Sequence, residues 1–251
     1  MTAEGGVLAT PEGRRIAWAR VPGAAPGVVF LGGLRSDMTG TKAMHLHAWA
    51  ERTGRAFLRL DYSGHGASAG RFEDGTIGAW AADARAAIAA LTTGPQVLVG
   101  SSMGGWIALL LARAEPARVA GLVGIAAAPD FTDALGRAIG AEGRARLAAG
   151  GQVALPSEHG APLPVSRALL ADGRRNRVLR APLHLPFAVR FLQGEADREV
   201  PVATALRLFA HATGPDIRLT LVKGADHRFS SPDCLSLIEG AIEEILDGAP
   251  T

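Results

Sequence analysis

Apolar residues in this chain gather in short unbroken runs, separated by longer stretches in which they recur every three or four positions. The runs are GVVFLGG at 27–33, RAFLRLDY at 55–62, PQVLVGSS at 95–102, VAGLVGIAAA at 119–128, FAVRFLQGEAD at 187–197 and IRLTLVKGADH at 217–227. Unbroken runs of this kind predict strands covered on both faces, as in a parallel sheet. Helical periodicity fills the gaps, most clearly over Thr76 to Thr92, Met103 to Ala114 and Pro232 to Leu246. Ahead of them, Pro11-Glu12-Gly13 separates two extended segments and predicts an N-terminal hairpin. Strand and helix in alternation predict a doubly wound α/β sheet with its reactive groups at the carboxyl ends of the strands.

One stretch breaks the alternation. Between Asp130 and Leu185 the pattern gives short helical segments and the proline-bearing pieces VALPSEHGAPLP and RAPLHLP, with no convincing buried strand. A long insertion inside a compact domain is usually functional, so 130–185 is expected to form a cap or lid over the strand ends. The 251 residues then make a single domain over 1–251.

The candidate chemistry sits at the run–helix junctions. Gly100-Ser101-Ser102-Met103-Gly104 fits G-x-S-x-G between a predicted strand and a predicted helix, the context in which such a serine acts as a nucleophile. A serine hydroxyl needs a base and an orienting carboxylate. Asp197 and His227 each close an apolar run downstream, in the order nucleophile, acid, base. Glu195, Asp226 and Asp130 compete for the acid's place. Among the other histidines, His45, His47, His159, His184 and His211 read as structural or exposed, and His65, in the glycine-rich DYSGHGAS, is held in reserve. Oxyanion donors are expected from the Met103 N–H and, in the loop FLGGLRSDMTG, from the Leu34 N–H. Arg35, Met38, Phe131 and Leu135 are candidates for a substrate pocket, with Leu155 as a further roof residue. Trp106 reads more simply as core.

Composition narrows the class. With 26 Lys and Arg against 24 Asp and Glu the formal charge is +2, and the charges are interspersed, which argues against a nucleic-acid partner. The densest basic stretch, Gly173 to Arg180, is short enough to be a solvated helix face. A single cysteine, Cys234, forms no intrachain disulfide. No apolar stretch is long and uninterrupted enough to span a membrane, and the N-terminus has no signal-peptide core, so a cytoplasmic protein without stable membrane insertion is expected.

The segments FLGGLRSDMTGTKA, RLDYSGHGASAGRFEDGTIGAW, VLVGSSMGGW and GADHRFS together resemble the α/β-hydrolase superfamily across nearly the whole chain. Within it they are similar to a small branch of palmitoyl-protein thioesterases, also described as acyl-glucuronide hydrolases, and their bacterial relatives. The resemblance implies an α/β-hydrolase fold: a mostly parallel central sheet with an N-terminal hairpin, helices on both faces and a small helical cap. It also implies cofactor-free and metal-free hydrolysis of acyl esters or thioesters, with Ser102, Asp197 and His227 as the matching triad positions. The partner would be a small-molecule or lipid-acyl substrate, or an acylated protein. Gly32 departs from the pattern, because many relatives carry His before the oxyanion glycine. A carbon–carbon bond hydrolase of the meta-cleavage type and a non-catalytic ligand-binding protein are the alternatives on the same fold.

Overall fold

A computed structural model describes residues 3–156 and 161–248; His159 lies outside the described residues. The chain begins with the antiparallel pair β1 (Glu4–Ala9) and β2 (Arg15–Val21), joined by the expected hairpin. There the Gly13 N–H donates to the Thr10 carbonyl, and Gly13 adopts φ 78°. Then follow β3 (Ala24–Leu31), α1 (Thr41–Thr53), β4 (Arg55–Leu60), α2 (Ile77–Leu91), β5 (Gln96–Ser101), α3 (Met103–Ala114) and β6 (Val119–Ile125). After β6 the chain leaves the sheet for α4 (Thr132–Ala138), α5 (Gly140–Ala148), β7 (Val153–Leu155), β8 (Leu163–Val165), α6 (Arg167–Arg175) and β9 (Leu183–His184). It returns through β10 (Ala188–Gly194), α7 (Val202–His211), β11 (Ala212–Thr213), β12 (Ile217–Val222) and α8 (Pro232–Asp247).

The eight-stranded sheet has the order β1-β2-β4-β3-β5-β6-β10-β12, and it is parallel from β4 to β12. One face carries α2 and α3, whose Trp80, Trp106 and Ile107 pack with Leu98 and Leu122 of the sheet. The other carries α1 and α8, which bury Leu46, Trp49, Ile238 and Ile242 against Val97, Val99 and Val123. This explains the unbroken apolar runs, since alternate residues of β5 and β6 serve opposite cores.

The runs overshoot the strands at their carboxyl ends. The chain is paired only to Leu60, Ser101, Ile125, Gly194 and Val222; the residues after these points are loops. Segment 130–185 is not purely helical, because β7 and β8 pair antiparallel as a two-stranded ribbon and β9 pairs with β11. Strands of two or three residues are too short to show a period.

Candidate active site

Ser102 occupies the turn from β5 into α3 at φ 54°, ψ −116°. A serine in an ordinary helix cap has extended backbone and spends its hydroxyl on the first turn. Here the backbone is strained and the hydroxyl makes no cap bond, so the oxygen is left to the site. Close packing demands the flanking glycines: a Cβ on Gly104 would lie 2.0 Å from the Leu31 carbonyl oxygen. The turn is fixed by its backbone, with the Ser102 N–H on the Ile125 carbonyl and the Ala128 N–H on the Ser102 carbonyl.

Asp197 and His227 come together two loops away. Asp197 follows β10 and His227 follows β12, and Nδ1 of the imidazole lies 2.8 Å from Asp197 Oδ2. Since the carboxylate accepts, Nδ1 carries the proton and Nε2 is left as the basic nitrogen. The second oxygen, Asp197 Oδ1, accepts the N–H groups of Glu199 and Val200, and the Gln193 amide donates to Oδ2 at 3.0 Å. Burial works to raise the Asp197 carboxyl, but the bonds from His227, Val200 and Gln193 outweigh it and hold it below the usual carboxylate range. Glu199 places Oε2 3.6 Å from His227 Nε2. Neither Gln193 nor Glu199 was expected to belong to the site. An amide inside the apolar run FAVRFLQ was the only signal pointing to Gln193.

The other acids have different partners. Glu195 is exposed and pairs with Lys223 at 2.6 Å. Asp226 Oδ1 caps the Phe229 N–H at 3.1 Å. Asp130, at φ 57°, accepts the N–H groups of Val178 and Leu179. His65 is buried among Tyr62, Phe72 and Trp80, and burial lowers its pKa and keeps it neutral.

The loop after β3 lies against the serine, for a Cβ on Gly33 would lie 3.5 Å from Ser102 Cβ. A bond from the Ser36 N–H to the Gly33 carbonyl closes a turn whose second residue is Leu34. Met103 opens α3, so its N–H has no carbonyl one turn back. Both N–H groups are therefore free of intrinsic turn or helix bonding. Without a histidine at position 32, the loop is held from below. The Tyr62 hydroxyl donates to the Gly32 carbonyl at 3.3 Å, the Met38 N–H donates to Asp61 Oδ1 at 2.6 Å, and Arg59 donates to the Met38 carbonyl.

That clamp gives Met38 a structural task in addition to any place in a pocket. Arg35 does not pair with Asp37, whose carboxylate takes Thr39; its guanidinium donates to the Ala161 carbonyl at 2.5 Å and lies 6.0 Å from the Phe72 ring. Phe131 packs edge-on against Trp106 at 5.5 Å, and Leu135 sits between the main core and the inserted segment's own cluster. Leu155 pairs with Leu163 in the ribbon. A groove of about 350 Å³ lined by Glu73, Asp74, Leu147, Gln152, Ser166 and Arg167 shares no residue with the Ser102 turn. Among the described residues no cluster of His, Cys, Asp and Glu could hold a metal ion, and no helix is long and apolar enough to cross a membrane.

The sheet order, the strained serine turn and the Asp–His pair at neighbouring strand ends define a class. The chain belongs to the alpha/beta hydrolase family, whose profile matches residues 25–233. It is 31% identical over 246 residues to the human mitochondrial palmitoyl-protein thioesterase ABHD10, covering 97% of this chain and 80% of that protein. A crystal structure of a hydrolase from Agrobacterium vitis S4 superposes with TM-score 0.93 at 41% identity over 98% of this chain and 99% of that one. The mouse alpha/beta hydrolase domain-containing protein 10 superposes with TM-score 0.89 at 31% identity, covering 97% and 98%.

Proposed function

We propose that the protein is a serine hydrolase that cleaves acyl esters or thioesters through an acyl-enzyme. The observation that carries this reading is the 2.8 Å contact between His227 and Asp197, which leaves Nε2 basic at the strand ends where the uncapped Ser102 hydroxyl stands. In the reading, His227 takes the Ser102 proton as the hydroxyl oxygen bonds to the acyl carbon. Asp197 holds the imidazole and offsets its charge, while the Met103 and Leu34 N–H groups bind the oxyanion. Collapse expels the alcohol or thiol with the proton from His227. Water, activated by the same base, then releases the acid and restores the serine.

Likeness to the palmitoyl-protein thioesterases supports an acyl thioester, on a small molecule or an acylated protein, as substrate. Segment 130–185 is read as the cap that shapes the acyl site, with Arg35, Phe131 and Leu135 at its boundary. A cytoplasmic setting belongs to the same proposal.

The test is intact-mass analysis after treatment with a fluorophosphonate, with p-nitrophenyl esters and an S-palmitoylated peptide as substrates. A single adduct on the wild type and none on Ser102→Ala is expected, with a rate loss of about a thousandfold or more. A Ser102→Ala variant that keeps its activity would overturn the assignment.

A further inference from the structure

Lys42 stands in the first turn of α1, far in sequence from the catalytic candidates. Its ammonium nevertheless donates to the carbonyl of Arg228, 186 residues away and next to His227. The turn that carries the imidazole is also joined to the acid loop, by the His227 bond to Asp197 and by the Ala196 N–H on the Ala225 carbonyl, and to the core of α1 and α8 by Phe229. Asp226 Oδ1 caps the Phe229 N–H, and Phe229 is fully buried with its backbone at φ 48°. Lys42 adds a polar tie from α1 to the peptide directly beside the imidazole, where the packing of Phe229 is two residues further on.

The groups facing Lys42 are Asp226 and Arg228 from the turn and Cys234 from α8. Burial pushes the Lys42 ammonium down to about 8; Asp226 and Cys234 oppose this and Arg228 reinforces it. The direction bears on stability. The unfolded chain binds the proton more tightly than the folded one, so this group opposes folding while charged, and its effect on stability improves as pH rises from about 8 toward the ordinary lysine range. A charged group that works against folding, and whose hydrogen bond falls on the residue beside the base, has its role in the turn.

We propose that Lys42 is a positioning residue for His227, fixing the Arg228 peptide and with it the angle at which the imidazole presents Nε2 to Ser102. The proposal rests on the serine-hydrolase reading above. A charged donor holds a carbonyl about twice as strongly as a neutral one. The hold therefore loosens as Lys42 loses its proton, and turnover falls on the alkaline side.

The experiment is steady-state hydrolysis of p-nitrophenyl butyrate from pH 6 to 9.5 by wild type, Lys42→Met and Lys42→Arg, with Tm measured on each. For Lys42→Met we expect kcat lower by about tenfold at pH 7, KM within about twofold and Tm unchanged or higher. Lys42→Arg should recover most of kcat and lose the alkaline fall, because a guanidinium stays charged throughout. Wild-type kcat in Lys42→Met, or an alkaline fall that persists in Lys42→Arg, would overturn the proposal. If Lys42→Met does not fold, the alkaline limb of Lys42→Arg decides alone. Fluorophosphonate labelling of the same samples separates the two readings. A labelled wild type with indifferent Lys42 variants removes only this proposal, whereas an active Ser102→Ala removes the reading beneath it.

Discussion

Gln193 shows how far a single amide reaches in this site. Its Nε2 donates to Asp197 Oδ2, to the Gly194 carbonyl and to the Val200 carbonyl, while its own Oε1 is buried with no hydrogen-bond partner. A buried polar atom left unpaired is costly, so the amide's place in β10 is explained by what it holds. Replacing it by Leu keeps the volume but removes the donors from a buried carboxylate and two carbonyls. Gln193→Leu should lower kcat/KM by about tenfold and reduce Tm by several degrees; unchanged kinetics would show that Asp197 is held well enough by Glu199 and Val200. Ser102 was legible in the sequence because its motif is local, and His227 because it closes the last apolar run. Asp197 is the preferred acid there because it closes its run, with Glu195, two residues before it in the same loop, as the nearest rival. Only the loop's path sends Glu195 out to Lys223 and Asp197 in to the imidazole.

At the scale of elements, the long runs were readable because burial on both faces imposes an unbroken apolar pattern. The inserted segment was readable only as an interruption, since its ribbon strands are three residues each. It joins the body through apolar residues such as Leu169, Val178 and Leu183 in the main core, and through specific polar bonds. The Trp106 indole donates to the Asn176 carbonyl, the Gly78 N–H to Asp172, Arg113 to the Arg177 carbonyl, and His211 Nε2 to the carbonyls of Val178 and Ala181. Within the segment, Asp130 accepts Val178 and Leu179 and Arg177 pairs with Asp133, which ties its two ends together. The basic stretch from Gly173 thus serves in part to close this segment on itself, through the Arg177 side chain. Asp130 is buried and its backbone is left-handed, a conformation that Asp tolerates better than Ala. Asp130→Ala should therefore cost about 3 kcal/mol, read as a lower urea midpoint, together with faster proteolysis within 130–185. Asp130→Asn, which keeps an acceptor and the backbone preference, should lose less. Equal stability of Asp130→Ala and wild type would mean that the segment's ends are held together by other contacts.

Across the whole molecule, ionised carboxylates are built into the joints between layers, and this sets how the fold answers to acid. Arg190 of β10 is buried and pairs with Glu244 of α8 at 2.8 Å and with Asp216, just before β12, at 2.7 Å. Hydrogen bonds from Arg190 lower the pKa of both carboxyls, as the bonds from His227, Val200 and Gln193 do for Asp197 against its burial. Asp61 is the counter-case. Burial raises its carboxyl despite the Ala67 and Met38 N–H groups, so protonating it does not undo its contribution in the same way. For the lowered groups the sign is fixed. Their stabilisation is present above the unfolded carboxylate range of about 4 and is lost as pH falls through their folded values. Asp216 and Glu244 are more than a third exposed, so solvent screens them and their share is modest. The urea midpoint should accordingly hold nearly level from pH 7 to pH 5 and drop between pH 4 and pH 3. Arg190→Met removes the buried one of the two partners of Asp216 and Glu244, leaving each the exposed Arg218. It should lower the midpoint at pH 7 and flatten the drop below pH 4, so the two curves converge as acid is added. Parallel curves would mean that the Arg190 joint acts through packing, leaving Asp197 and the remaining carboxylates to account for the acid response.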